Sequence, residues 1–196
     1  MRSLRALAAA AILATASALA ADATLEPYIA CDGFAGGVRA VQQDRRPRDS
    51  PPYRDVVVDR DARRVSVVDG YRVLYSYPRT LAFANLKAER SDPAIFAADK
   101  RVLTEQIDAV ARAEGDATLV RFTERGHSGM TLTKPELRGT TVAITQIFYE
   151  ADGVVVTIYF LNQAPGERRF ATVEEFVQLR DAFVQGYIDC VAARRR

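Results

Sequence analysis

The residues with the clearest catalytic potential are His127 and Ser128, which are adjacent in the sequence Gly126-His127-Ser128-Gly129. A serine nucleophile needs a base, and His127 is the single histidine of the chain. Neighbouring residues seldom bring an imidazole nitrogen onto a serine hydroxyl, because catalytic triads assemble from distant segments. Met130 also replaces the last glycine of a G-x-S-x-G nucleophile elbow. A small hydrolase using Ser128 and His127 is therefore an alternative hypothesis, and a flexible glycine-bounded turn is the simpler interpretation.

Metal and cofactor chemistry lack the necessary residues. One histidine and two cysteines do not complete the usual zinc ligand set. Asp59 and Asp61 flank a predicted turn, but the remaining ligands of a calcium loop are absent from the sequence around them. No glycine-rich phosphate loop follows a predicted strand. The sequence predicts no metal site and no cofactor.

A second set of residues has the composition of a binding surface. Aromatic rings supply contact area and amide groups supply orientation, so their mixture suits a partner protein, a peptide or a small ligand. The alternative is a face covered by the 81–115 segment or by the N-terminal segment, because most apolar strand faces are buried. The residues lie on one face of a predicted hairpin and at its strand end: Gln146, Phe148, Thr157, Tyr159, Asn162 and Gln163.

The hairpin that positions these residues is the strongest structural signal in the chain. Asp152-Gly153 separates two apolar runs, Val142 to Tyr149 and Val154 to Leu161. Both central residues of a type I′ turn need positive φ, which favours Asp-Gly. A two-residue turn pairs Ala151 with Val154. The opposite face is then the predicted core face, with Ala143, Thr145, Ile147, Tyr149, Val154, Val156, Ile158 and Phe160.

A long amphipathic helix is predicted after the hairpin. Thr172 and Glu175 have the spacing of a capping box at its start. Cys190 lies one turn beyond Tyr187, so its thiol is expected to face inward. The apolar stripe recurs at helical spacing: Val173, Phe176, Val177, Phe183, Val184, Tyr187, Ile188 and Val191.

The first twenty residues predict export. Met1 to Ala20 combines Arg2 and Arg5, a short apolar run and an Ala-x-Ala site, as in a secretory signal peptide. Its removal lowers the formal net charge from +2 to zero. A near-neutral chain gives no support to nucleic-acid binding, and the apolar run is too short for a stable membrane span.

Two cysteines, Cys31 and Cys190, lie near the two ends of the mature chain. In an oxidising compartment an even number of cysteines favours a disulfide, so we expect these two to be bonded. Two buried free thiols are the alternative. The polar residues between the leader and Cys31 argue against a lipoprotein cleavage site there.

The remaining segments predict one α+β domain over residues 21–196. The expected order is β-β-β-β-α-β-β-β-α, an antiparallel sheet of about six to seven strands with two main helices packed on one face. Residues 42–53, rich in arginine and proline, are expected to form a mobile loop. The segments are Pro27 to Val41 (irregular), Val56 to Asp59, Arg64 to Val68, Tyr71 to Tyr77 and Leu81 to Ala88 (strands), Asp92 to Gly115 (helix), and Ala117 to Phe122 and Met130 to Thr133 (strands). The Asp69-Gly70 pair is expected to turn the chain between two of these strands. The buried stripe of the helix is predicted to be Ile95, Phe96, Val102, Leu103, Ile107 and Val110.

Together these features favour a periplasmic or secreted, monomeric, non-enzymatic binding or accessory protein. Its partner is expected to be another protein or a small molecule, with no nucleic acid and, after cleavage of the leader, no membrane. The hydrolase hypothesis remains the alternative. An inhibitor or surface-interaction protein that uses the arginines between Arg45 and Arg48 is a further one.

Overall fold

A computed structural model describes residues 25–34, 38–43, 54–57, 64–77, 82–91, 93–137, 139–162 and 170–195. The predicted signal peptide, residues 44–53 of the predicted loop, and Gln163 lie outside the described residues. The elements are α1 (Glu26–Ile29), β1 (Val38–Gln43), β2 (Arg54–Val57), β3 (Arg64–Tyr77), β4 (Ala82–Ser91), α2 (Phe96–Ala113), β5 (Thr118–Glu124), β6 (His127–Leu137), β7 (Thr140–Tyr149), a 3₁₀ turn (Glu150–Asp152), β8 (Val154–Leu161) and α3 (Val173–Arg194).

The fold is α+β, with one antiparallel sheet and two main helices. The described strands form an eight-stranded sheet in the order β1-β3-β4-β8-β7-β6-β5, and β2 pairs with β3 beside β1. The prediction of six to seven strands was therefore too low. Four strands follow α2 where the predicted order has three. β1 was not predicted either, since it begins inside the 27–41 segment that was expected to be irregular.

β3 replaces two predicted strands. The Asp69-Gly70 pair was expected to turn the chain, but the strand runs without interruption from Arg64 to Tyr77. Its pairing with β4 shifts register between Val67 and Asp69, so the glycine lies beside an irregularity in the ladder and not in a turn. A glycine inside a strand and a glycine between strands are not distinguishable from local sequence alone.

The β7–β8 hairpin forms with the expected faces but a different register. Tyr149 pairs with Val154, and Glu150 to Asp152 form a 3₁₀ turn closed by Gly153 at φ 62°. The predicted Ala151–Val154 pair is therefore wrong by two residues. Because side chains alternate with period two, a two-residue shift leaves every side chain on its predicted face.

The sheet has a buried core on each face, and this corrects the expectation of helices on a single face. One core lies between the sheet and α3 with α1, and it contains all the predicted core-face apolar residues of the hairpin. The other lies beneath α2 and includes Phe96, Ile107, Met130, Leu132 and Phe148. The order of elements does not specify which face a helix covers. Two apolar faces on β7 and β8 require a cover on both sides.

α2 begins later than predicted, and the ends of its apolar stripe are exposed. Pro93 lies in the turn before the helix, which starts at Phe96. Ile95 and Val110, both predicted to be buried, are 39% and 41% exposed. The middle of the stripe, at Val102 and Ile107, is buried as expected.

The disulfide between Cys31 and Cys190 is present, as predicted, with Cα atoms 5.6 Å apart. It attaches the N-terminal segment to the last turns of α3. Beside it, the Tyr187 hydroxyl donates to the Tyr28 carbonyl at 2.8 Å. No helix in the described ranges is long and apolar enough to cross a membrane.

The start of α3 confirms the predicted cap. The Thr172 hydroxyl accepts a hydrogen bond from the Glu175 amide at 3.2 Å. The Glu175 carboxylate accepts from the amide of Ala171 at 3.0 Å, one residue before the cap. Both bonds satisfy amides that have no partner within the helix.

Candidate functional site

His127 and Ser128 lie in β6, and their side chains point to opposite faces of the sheet. The His127 ring contacts Tyr149 on the α3 side, with ring centroids 5.2 Å apart. The Ser128 hydroxyl instead donates to Glu150 Oε1 at 3.0 Å. Since successive residues of a strand alternate between faces, the strand prevents the nucleophile–base contact that a hydrolase would need. The turn expected here lies one residue earlier, at Arg125-Gly126, where both residues have positive φ.

Glu150 joins Ser128 to α2. Its carboxylate also forms an ion pair with Lys100, whose ammonium lies 5.5 Å from the centre of the Phe148 ring. Burial raises the pKa of the Glu150 carboxyl, but hydrogen bonds from Lys100 and Ser128 outweigh it, so the pKa lies below its ordinary value. The carboxylate is therefore held as an acceptor and is not poised as a general acid.

His127 itself is buried, with 3% of its surface exposed. Among the described residues, none forms a hydrogen bond with its Nε2 atom or with the buried hydroxyl of Tyr149 beside it. Burial disfavours the charged ring and lowers the pKa of His127, while Glu124 and Glu150 oppose that change and Arg195 adds to it. The ring is therefore a neutral imidazole at neutral pH.

A polar cluster closes this end of the molecule around Tyr149. The Tyr28 hydroxyl donates to the Asp152 carboxylate, and Arg195 Nε lies 2.8 Å from the same carboxylate group. Arg195 also lies over the Tyr149 ring at 5.3 Å, and the Tyr28 and Tyr149 rings meet edge to face at 4.8 Å. Burial raises the pKa of both tyrosines far above the ordinary value, so both remain neutral phenols. The cluster thereby joins α1, the 150–153 turn and the end of α3.

The predicted binding face is largely covered. Phe148 is 0% exposed, and Gln146 and Thr157 are buried on the same side of the sheet. Tyr159 is half-buried. Asn162 is buried at the strand end, where its side-chain amide donates to the Phe170 carbonyl at 3.2 Å. Gln163 lies outside the described residues. The helical segment therefore covers Gln146, Phe148 and Thr157, which corresponds to the alternative of a covered face.

The cover is incomplete where α2 ends. The helix stops at Ala113, and a cavity of about 80 Å³ opens between its last turn and β6 and β7. Val110 and Leu137 at its edge are 41% and 42% exposed. Val142 pairs with Leu161, so this exposed leucine extends the apolar surface. We call this cavity the groove; it is lined by Val110, Glu114, Ala117, Leu132, Lys134, Leu137, Val142 and Ile144.

The rim of the groove carries charge. Lys134 Nζ lies 2.7 Å from Glu114 and also pairs with Asp116. Hydrogen bonds to Asp116 and Glu114 raise the pKa of Lys134, and the bond from Lys134 lowers the pKa of Asp116. The groove therefore has an apolar floor beside a partly exposed group of ion pairs.

Sequence reasoning found the strand face but not the groove. Ile144 belongs to the hairpin face that was predicted to be a binding surface or, alternatively, covered, whereas Val110 had been assigned to the buried stripe of the helix. Nothing in the sequence around Leu137 indicates that it lines a groove, because this depends on where α2 ends above β6. A helix end at Gly115 was predicted, two residues beyond the observed end at Ala113. Which strand lies beneath that end was not predicted.

The described residues contain no group of three or more histidine, cysteine, aspartate or glutamate side chains arranged to hold a metal ion. No protein-family model, no curated protein and no solved structure matches this chain. The local geometry is therefore the basis for a functional hypothesis.

Proposed function

We propose that this chain is an exported, non-enzymatic binding protein that holds a partner protein through the groove. The observation that carries the proposal is the pair of exposed apolar side chains, Val110 and Leu137, on either side of an apolar cavity. Apolar side chains clustered in a concave site lose unfavourable contact with water when a partner covers them. Export follows from the predicted leader and agrees with the disulfide between Cys31 and Cys190.

The size of the groove favours an anchor side chain over a free small molecule. Ligand pockets for drug-sized molecules are typically about 300–1,000 Å³, and a cavity of roughly 150 Å³ holds benzene. At about 80 Å³ the groove suits one branched aliphatic side chain. Protein interfaces commonly depend on a few such anchors in small pockets.

The charged residues at the rim of the groove also favour a protein partner. Lys134, Glu114 and Asp116 form a partly exposed ion-pair group beside the apolar floor. Protein interfaces usually surround an apolar centre with a polar, hydrated rim. The proposed partner therefore presents an exposed Leu, Ile or Val side chain flanked by polar residues. The His127 and Ser128 geometry does not favour the hydrolase alternative, because the sheet separates the two side chains.

The proposal is tested by photo-crosslinking in the producing organism. A benzoylphenylalanine residue is placed at Leu137, and the same residue is placed at Val120 as a matched control. Val120 is an apolar residue on β5 that is 58% exposed and does not line the groove. A discrete protein adduct is expected from position 137 and not from position 120, and mass spectrometry identifies its partner.

A charged residue introduced into the groove then tests whether the adduct depends on the apolar lining. Val110→Asp, added to the position-137 protein, is expected to abolish the adduct, whereas Val120→Asp leaves it unchanged. With the purified partner, Val110→Asp should weaken the Kd by about tenfold or more, since removing a buried anchor contact typically costs more than about 1.4 kcal/mol. Equal adducts at both positions, or an adduct that survives Val110→Asp, would overturn the proposal.

A further inference from the structure

Two neighbouring rings on the α3 side of the sheet each carry a buried polar atom that has no hydrogen-bond partner within the part of the chain that the structure describes. The two atoms are His127 Nε2 and the Tyr149 hydroxyl. Their rings are 5.2 Å apart and tilted by 33°, and both residues are almost fully buried. Native proteins satisfy the large majority of buried polar side-chain atoms, so an adjacent pair of exceptions calls for a physical explanation.

The pair lies where three segments that are distant in sequence meet. The 150–153 turn contributes Asp152, which accepts from Tyr28 of α1 and pairs with Arg195 after α3. Arg195 and Tyr28 both pack on the Tyr149 ring, at 5.3 Å and 4.8 Å. Only the Tyr149 ring therefore separates His127 from the contacts of Arg195 and Tyr28. The turn is also held from its other side, by the Ser91 amide on the Gly153 carbonyl and by Lys100 and Ser128 on Glu150.

The charges around His127 determine what a proton on its ring would meet. Glu124 comes from β5 and Glu150 from the hairpin turn, while Arg195 comes from the end of α3. Glu124 is paired with Arg125 at 3.1 Å, and Glu150 is paired with Lys100. Both acids thus already have a cation. The imidazolium would keep a hydrogen bond to the Arg125 backbone, which favours the charged ring. It would nevertheless be a buried charge beside a second cation, Arg195, which is costly.

We propose that His127 is an acid-operated latch, in which protonation of its ring detaches Arg195 from the Tyr149 ring and from Asp152 of the 150–153 turn. The proton comes from solvent and binds Nε2, and the imidazolium then gains water through the opened cluster. The Cys31–Cys190 disulfide remains intact and keeps α1 attached to α3, so the opening is confined to the turn and the end of the helix. The proposal does not depend on the groove.

The direction of the pH effect follows from linkage. The pKa of His127 is lowered in the folded protein by burial, so as the pH falls through about 6.5 the open or unfolded state binds a proton first. The closed state therefore loses stability between the ordinary histidine pKa and the lower folded one. Above that range the latch is closed.

Hydrogen exchange of the full, oxidised chain tests the latch at about pH 7.5 and about pH 5.5, corrected for the intrinsic effect of pH on exchange. In the wild type, amides 150–153 and those of the last turn of α3 are expected to exchange about tenfold faster at the lower pH, while amides in the middle of β8 do not change. His127→Phe, which preserves an aromatic ring between Phe122 and Tyr149, should abolish the acid effect.

Two further readouts keep the test decisive if His127→Phe folds poorly. Because the chain has a single histidine, its imidazole nitrogen resonances can be followed without ambiguity, in protein prepared without a histidine tag. Arg195→Gln should open the turn at neutral pH with His127 intact. The latch is overturned if the imidazole titrates with no change in exchange, or if His127→Phe shows the same acid response as the wild type.

Discussion

At the residue scale, a close approach of two glycines attaches the N-terminal segment to α3. Gly186 lies in the middle of α3, where glycine costs about 1 kcal/mol relative to alanine. A Cβ atom at this position would overlap the carbonyl of Gly33, and a Cβ at Gly33 would overlap the Phe183 ring. The absence of both side chains lets the backbone just after Cys31 lie directly on the helix.

Gly186→Ala is therefore expected to destabilise the protein, against the usual effect of alanine in a helix. Overpacking of this kind costs about 1–3 kcal/mol, seen as a lower urea midpoint. Gly115→Ala is the matched control, because a Cβ atom there would meet nothing within 4 Å beyond its chain neighbours, and it should change stability by less than about 0.5 kcal/mol. A Gly186→Ala protein more stable than the wild type would contradict the close approach.

At the element scale, α2 and α3 each cover one face of a sheet whose central strands are apolar on both sides. β8 shows this most clearly, since Val154, Val155 and Val156 are all buried although they alternate between faces. α2 covers Phe148 and α3 covers Ile147, its neighbour in β7. The hairpin can therefore be stable only between the two helices.

The burial of Phe148 predicts a structural role for a residue that sequence analysis had assigned to binding. Phe148→Ala should lower the free energy of unfolding by about 3–5 kcal/mol, because it removes a fully buried ring. Leu161→Ala, on the same face but 37% exposed, should cost less than about 1 kcal/mol. Unfolding in urea measures both; a stable Phe148→Ala protein would show that the α2 cover is loose.

The start of α3 supplies a second prediction at this scale. Thr172→Ala removes the acceptor of the Glu175 amide and should cost about 1 kcal/mol in unfolding free energy. Thr172→Ser retains the hydroxyl and should stay close to the wild type. If both variants lose stability equally, the methyl group and not the cap bond is responsible.

At the scale of the whole molecule, one covalent link spans nearly the whole described chain. Cys31 and Cys190 are separated by 159 residues. In the chain-entropy model a loop of this length stabilises the folded state by about 5 kcal/mol. The link also joins the segment carrying Tyr28 to the helix that Arg195 directly follows, and both residues contact Asp152.

Replacing both cysteines by alanine should therefore lower the free energy of unfolding by about 5 kcal/mol, with a steeper dependence on denaturant because the unfolded chain is less compact. The wild type in reductant should behave like the double variant, and the double variant should not respond to reductant. Equal midpoints for oxidised wild type and the variant would mean that the bridge adds no stability.

The sequence by itself determined the features that depend on local pattern. The hairpin faces, the cap at Thr172 and the inward position of Cys190 all follow from period-two or helical spacing, which neighbouring residues specify. The disulfide followed from two cysteines and a predicted oxidising compartment. The hairpin faces were predicted correctly although the register was not, since a two-residue shift leaves every side chain on the same face.

The tertiary structure alone decided what required distant segments to meet. Whether Asp69-Gly70 turns the chain depends on the neighbouring strands, and β3 continues through it. Only the packing of the helices on opposite faces shows that Phe148 is covered while Val110 and Leu137 flank a groove. The alignment of His127 with Tyr149 and Arg195 joins three separate segments in the same way. Burial is a property of the assembled chain, and local spacing specifies a face without specifying what covers it.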